Sequence, residues 1–321
     1  GKDAGRFLDL VYTNTFSTLS VGRVRYGLML REDGYVMDDG TSARLAEDRY
    51  LMTTTTAAAG QVMRHLDFVH HAYCADWDVR FISVTEAWAQ FAVAGPKARA
   101  LIHSLLDAPL GDFPFMSAGD VQLGSVAARL FRISFSGEEG YEIAVPTRYG
   151  EALFRDLVAR AETMGGGPYG MEALNVLRIE KGFITHAEIH GRVTAFDIGA
   201  QGMVSTKKDC IGKRASMREG LFGPEREQLV GVKPLNVASI TSGAHLFDMG
   251  ADLTRENSQG YVTSVGYSPL FGRSIGLGFL RNGRARWGET VRLVDRLRGI
   301  DVLCEICDPV FFDKAGEKLR A

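Results

Sequence analysis

The sequence predicts an α+β protein of more than one domain, and three observations lead there. Its 321 residues, 45% hydrophobic and 24% charged, can bury a substantial core in two or three domains. Apolar residues recur at the helical period in some segments (Val62, Met63, Leu66, Val69) and at the strand period in others (Tyr141, Ile143, Val145). After Gly223-Pro224 short alternating strands take over, with turns at Asn282-Gly283 and Arg298-Gly299, which reads as a small antiparallel barrel or sandwich.

In chain order, residues 3–11 read as a short helix. Tyr26 to Met37 read as two strands joined by a turn at Arg31-Glu32-Asp33-Gly34, which leaves Asp38-Asp39-Gly40 just beyond a strand end. Thr53 to Thr56 read as a strand end or cap leading into the helix that carries Val62 to Val69. From about Val79 to Gly167 the pattern is a compact unit of mixed helix and strand. It begins with a strand at 90–94 and a helix from Pro96 that turns Leu101, Ile102, Leu105 and Leu106 inward.

A hairpin follows, in which Phe131, Ile133 and Phe135 alternate with Arg132 and Ser134, and Tyr141, Ile143 and Val145 alternate with Glu142 and Ala144. Glu142 therefore faces away from Tyr141 and Ile143. A helix bearing Leu153, Leu157, Val158 and Ala161 stops at Gly165-Gly166-Gly167-Pro168, a hinge. Residues 170–182 form a helix expected to pack back on the first unit. The expected domains are thus 1–78 plus 168–222, then 79–167, then 223–321, with no internal repeat.

Composition excludes several functional classes. A formal net charge of −2, with both signs interspersed, is unsuited to nucleic acid as the main partner and favours a small substrate. No apolar run approaches the ~20 residues of a membrane span, and no secretion signal opens the chain, so the expected location is cytoplasmic. The four cysteines are too scattered for a disulfide framework, which suits a reducing compartment. Cys304-Glu305-Ile306-Cys307 has CxxC spacing without a second pair, and His186-Ala187-Glu188-Ile189-His190 has an i, i+4 histidine pair without a third ligand. No metal is expected.

The feature richest in chemistry is Asp38-Asp39, because adjacent acids repel and a buried one needs a partner or a cationic ligand. Asp-Asp-Gly is also an ordinary turn former, and both readings stand on these residues alone.

The surrounding stretches add a resemblance. They are Gly1-Lys2-Asp3-Ala4 running to Tyr12-Thr13-Asn14, Phe91 to Ala98 around Gly95-Pro96-Lys97, Phe135-Ser136-Gly137-Glu138-Glu139-Gly140-Tyr141-Glu142, and Gly260-Tyr261-Val262-Thr263-Ser264 through Ser268-Pro269. With Tyr26 and Asp38-Asp39 they resemble, in order and spacing, the aminomethyltransferase family that includes the glycine-cleavage T-protein. Within it, Thr53 to Thr56, Leu177-Arg178-Ile179-Glu180-Lys181-Gly182 and Asp308-Pro309-Val310-Phe311-Phe312-Asp313 look most like the carboxy-terminal part of the alpha subunit of heterotetrameric sarcosine oxidase. Gly1 matches a point inside the family's first domain, so a preceding segment is expected outside this chain.

This resemblance implies a multi-domain folate-binding fold with a C-terminal antiparallel β-barrel around a tetrahydrofolate cavity. It implies Asp39 as the catalytic acid, Glu142 as acceptor for the pterin ring, and Tyr26, Thr55 and Phe135 as folate-lining residues. The implied reaction moves the one-carbon unit of an amine-derived imine to tetrahydrofolate, giving 5,10-methylenetetrahydrofolate. The implied partners are the small amine or imine, folate, and other subunits or regions of a sarcosine oxidase complex. Flavin and NAD would belong to those other parts, and no GxGxxG follows a strand here. The alternatives are a glycine-cleavage T-protein, against which Leu174 stands where such members resemble one another in having Arg, a folate-dependent demethylase of another methyl donor, and a noncatalytic folate-binding or assembly module.

Overall fold

The computed structural model describes residues 1–321 and divides into two compact units. The first comprises Gly1–Gly27, Asp38–Gly170 and Ala315–Ala321, the second Leu28–Met37 and Met171–Lys314. The elements of the amino-terminal half are α1 (Ala4–Val11), β1 (Val24–Leu30), β2 (Val36–Ala46), β3 (Arg49–Met52), α2 (Ala59–Tyr73), β4 (Trp88–Ala94), α3 (Ala98–Leu105), β5 (Ala118–Leu123), β6 (Val126–Phe131), β7 (Gly140–Pro146) and α4 (Gly150–Thr163). Then follow α5 (Met171–Glu180), α6 (Lys213–Ser216), β8 (Glu227–Pro234), β9 (His245–Phe247), β10 (Ser258–Ser268), β11 (Arg273–Arg281), β12 (Thr290–Asp295), β13 (Ile300–Cys307) and α7 (Glu317–Arg320). None of the helices is long and apolar enough to cross a membrane.

In the first unit, β4-β7-β6-β5 form an antiparallel sheet. Strand alternation divides its side chains. Tyr141, Ile143, Val145 and Leu130 pack with Ile102 of α3 and with Leu153 and Leu157 of α4. Ala118, Phe131 and Ala144, on the other face, pack with Val24 of β1 and Ala43 of β2. Glu142 stands opposite Phe131 and Ala92 in register, so it belongs to this second face.

Two local expectations are corrected. The hairpin does not extend to Phe135: β6 ends at Phe131, and Ile133 and Phe135 lie in the connection to β7. Arg132 is the reason, because its fully buried guanidinium donates to the Gly140 carbonyl at 2.8 Å while its backbone N–H donates to Ser117. The chain is thereby drawn out of strand pairing with β7.

Asp38 and Asp39 do not follow a strand either, since β2 runs through them to Ala46. Gly40 permits this: a Cβ there would stand 2.0 Å from the Thr53 carbonyl oxygen, so only glycine lets the two backbones approach. The Thr53 N–H donates to the Thr41 carbonyl at 2.8 Å and continues the pairing toward β3.

In the second unit, β10-β11-β8-β13-β12-β9 close into an antiparallel barrel. Val230, Val232, Leu246, Val262, Leu280, Leu293 and Ile306 fill its interior. Ile275, Leu277 and Phe279 alternate with these and pack with Ile179 of α5, which is why β11 is buried on both faces. Beneath α5, Glu188 is fully buried and meets the Arg178 guanidinium at 3.0 Å. Its other oxygen accepts from Thr263 and Ser264 of β10, both at 2.6 Å.

Candidate functional site

The site begins with the β1–β2 hairpin. Strand alternation sends the side chains of Asp38 and Asp39 to opposite faces of β2, which relieves the repulsion expected of neighbours. Asp38 points inward, is fully buried, and accepts the Thr55 N–H at 3.2 Å. Asp39, half-buried, accepts the Tyr26 hydroxyl at 2.6 Å. The Tyr26 carbonyl in turn accepts the Asn14 side-chain amide at 2.7 Å.

Tyr12 lies against β1 at Gly27. It is fully buried, its ring lies tilted with its centroid 4.6 Å from that of Phe16, and a Cβ on Gly27 would come within 2.6 Å of it, so β1 carries glycine where the ring lies. Burial, followed by the charges of Asp38 and Asp39, pushes its hydroxyl well above the ordinary tyrosine range, against the lowering effect of its hydrogen bond to Ser42. Tyr26 is raised likewise, by burial first and then by Asp39. Both phenols therefore stay protonated, and Tyr26 acts as the donor to Asp39. The sequence did not single out Tyr12, Asn14 or Ser42 individually; Tyr12-Thr13-Asn14 entered only as part of the resemblance.

Thr55 meets Asp38 through its backbone, and its carbonyl accepts the Ala58 N–H at 2.9 Å at the turn that opens α2. Glu142 lies on β7, where Gln90 of β4 donates its amide N–H to Oε2. Burial pushes the Glu142 carboxyl above its ordinary range, and the Gln90 bond partly offsets this. Tyr169 is also raised, by burial and then by the Glu142 charge. Gln90 and Tyr169 carried no motif, and their place beside Glu142 follows from β-pairing and chain return. Phe135 is 39% exposed in the connection before β7.

Thus Tyr26 and Asp39 are directly bonded, Thr55 bonds Asp38 on the opposite face of β2, and Glu142 is bonded by Gln90 with Tyr169 within reach of its charge. All these residues lie in the first unit. The sheet face that bears Glu142 packs on Val24 and Ala43 of the same two strands that carry Tyr26 and Asp39. Chemically, the first cluster is a fixed carboxylate steadied by a phenol, able to balance a developing cation. The second is a half-buried acceptor suited to a planar pair of donors.

The other sequence candidates have different surroundings. Residues 186–188 form a turn instead of a helix, His190 meets the Tyr261 hydroxyl at 2.5 Å, and Glu188 is taken up by Arg178. No group of three or more His, Cys, Asp or Glu is arranged to hold a metal ion. Cys304 and Cys307 are free thiols that burial pushes up to about 12.

Comparison with known proteins agrees with this architecture. The GCVT N-terminal domain matches residues 1–208, and the glycine cleavage T-protein C-terminal barrel domain matches residues 228–313. The chain is 50% identical over 326 residues to the sarcosine oxidase subunit alpha of Rhizobium meliloti, covering 100% of this chain and 33% of that one. It is 42% identical over 329 residues to the corresponding Corynebacterium sp. (strain P-1) subunit, covering 99% and 34%. The chain thus spans about a third of the length of these subunits. An aminomethyltransferase of Geobacillus sp. is 27% identical over 320 residues, with 98% of this chain and 84% of that one covered. The crystal structure of glycine cleavage system aminomethyltransferase T from Bartonella henselae matches with a TM-score of 0.84 at 25% identity, covering 98% of this chain and 82% of that one. With its amino-terminal domain and its barrel both matched, this chain belongs to the glycine-cleavage T-protein family.

Proposed function

We propose that this chain is a tetrahydrofolate-binding aminomethyltransferase module of a cytoplasmic sarcosine oxidase-type complex. In that reading it brings the one-carbon unit of an amine-derived imine to tetrahydrofolate, forming new bonds from that carbon to folate nitrogen, breaking its bond to the imine nitrogen and releasing the amine, to give 5,10-methylenetetrahydrofolate. The observation that carries it is Asp39, a half-buried carboxylate held at 2.6 Å by the Tyr26 phenol in a chain of this family. The names of the relatives at 50% and 42% identity support the sarcosine oxidase setting.

The residues present fit a reduced pterin. Glu142, half-buried and bonded by Gln90, would as a carboxylate offer two oxygens to the ring's N3–H and exocyclic amine, a planar pair of donors. When bound, tetrahydrofolate supplies the nucleophilic nitrogen. The chain's own task is then placement and charge. Holding two reactants together is worth up to ~7 to 11 kcal/mol when fully realised. Asp39 would balance the positive charge of the imine carbon as it approaches, and Tyr26 would keep that carboxylate from rotating away. Thr55, through Asp38, and Phe135 would shape the walls.

The test separates binding from transfer. Asp39→Asn should keep 5-formyltetrahydrofolate binding within about tenfold by calorimetry while methylene transfer falls sharply. Glu142→Ala, titrated beside it, should instead weaken binding by ~1 to 3 kcal/mol, because a pterin donor edge loses its acceptor. Undiminished transfer in the Asn variant would remove Asp39 from the mechanism.

A further inference from the structure

The neighbours of Glu142 in the sheet supply almost no charge. Ala92 of β4 and Phe131 of β6 stand opposite it. On the same face Arg129 of β6 is engaged by Asp120 of β5 at 2.9 Å, so that charge is locally balanced. The titratable neighbour is Tyr169, whose raised hydroxyl stays neutral. What Glu142 does have is Gln90, which reaches from two positions along β4 to donate to Oε2.

A donor at that point has two effects. The torsion that spins a glutamate carboxylate is broad and two-fold, so an unrestrained carboxylate does not present its oxygens in one plane. A hydrogen bond to one oxygen selects the plane and leaves acceptor capacity on both, since a carboxylate offers about four lone-pair sites. A bond to the charged form also opposes the desolvation that favours the neutral acid. A neutral Glu142 would present an O–H to a ligand edge that itself consists of donors.

We infer that Gln90 is a positioning residue for the pterin site: it fixes the rotation of the Glu142 carboxylate and keeps it ionised, so that both oxygens can receive a planar two-donor edge. This rests on the folate reading of Glu142. Affinity for such an edge should fall as pH drops through the Glu142 midpoint, because protonation removes an acceptor.

Two variants test it. Gln90→Met keeps the length and removes the donor, whereas Gln90→Lys places a cation at similar reach. The first should move the Glu142 midpoint up and the second should move it down, a reversal that a packing role would not produce. Carboxyl-13C NMR of the ligand-free protein reads the midpoint, and calorimetry with 5-formyltetrahydrofolate from about pH 5 to about pH 9 reads affinity. In Gln90→Met, a midpoint displaced by about one unit makes binding about tenfold weaker below it, with recovery at higher pH. Unmoved midpoints, or displacement in the same direction in both variants, would overturn the inference. Opposite displacements in the two variants, together with a wild-type protein that fails to bind 5-formyltetrahydrofolate, would instead overturn the folate reading and leave the Gln90–Glu142 coupling standing.

Discussion

At the scale of single residues, the two adjacent aspartates divide their work by facing opposite ways. Asp38 has no exposure and organises the chain at Thr55, while Asp39 keeps some access and leans on Tyr26. The resemblance implied Tyr26 as a lining residue, and the structure adds a hydroxyl bonded to the carboxylate. Tyr26→Phe removes that donor and little else. A hydrogen bond to a charged group is worth about 1.5 to 3 kcal/mol, so transfer should fall roughly 10- to 100-fold with folate binding nearly preserved. Single-turnover measurement beside calorimetry distinguishes this from a wall residue, whose loss would weaken binding and transfer together.

At the scale of elements, β2 shows what was and was not legible. Its alternation through Met37 could be read from the side chains, but its continuation through Asp-Asp-Gly could not. The deciding fact is a backbone approach between Gly40 and Thr53 that depends on β3. Gly40→Ala would force those backbones apart and should cost more than about 2 kcal/mol in urea unfolding, with folate affinity falling in parallel. A variant as stable as wild type would mean that the strands have room to yield.

The alternation that turned Glu142 away from Tyr141 and Ile143 was legible because it is local. The end of β6 was not, since it depends on a buried arginine bonding to a carbonyl eight residues away. Likewise Gln90 has no meaning until β4 pairs with β7, whereas the helix bearing Val62, Leu66 and Val69 announced itself by period. Asp39 and Glu142 were reached by resemblance, which supplied roles that spacing alone left open.

At the scale of the whole molecule, each unit has its own core and the barrel unit has a buried ionic centre. Arg178 is bonded to Glu188, Asn175, the Phe183 carbonyl and Ser264, so its charge is fully engaged. Glu188→Ala would strand that guanidinium, and breaking such a pair costs roughly 3 to 5 kcal/mol. Urea unfolding should move to lower denaturant and separate into two steps as the barrel unit yields first. A single transition of unchanged midpoint would show that the pair contributes no net stability.

The order of segments bears on how such a molecule can be inherited. Unit membership changes at 27/28, 37/38, 170/171 and 314/315. A recombination crossover anywhere between residues 28 and 314 would split at least one unit's residues between two products. Neither unit is one uninterrupted stretch, so no single cut can release both intact.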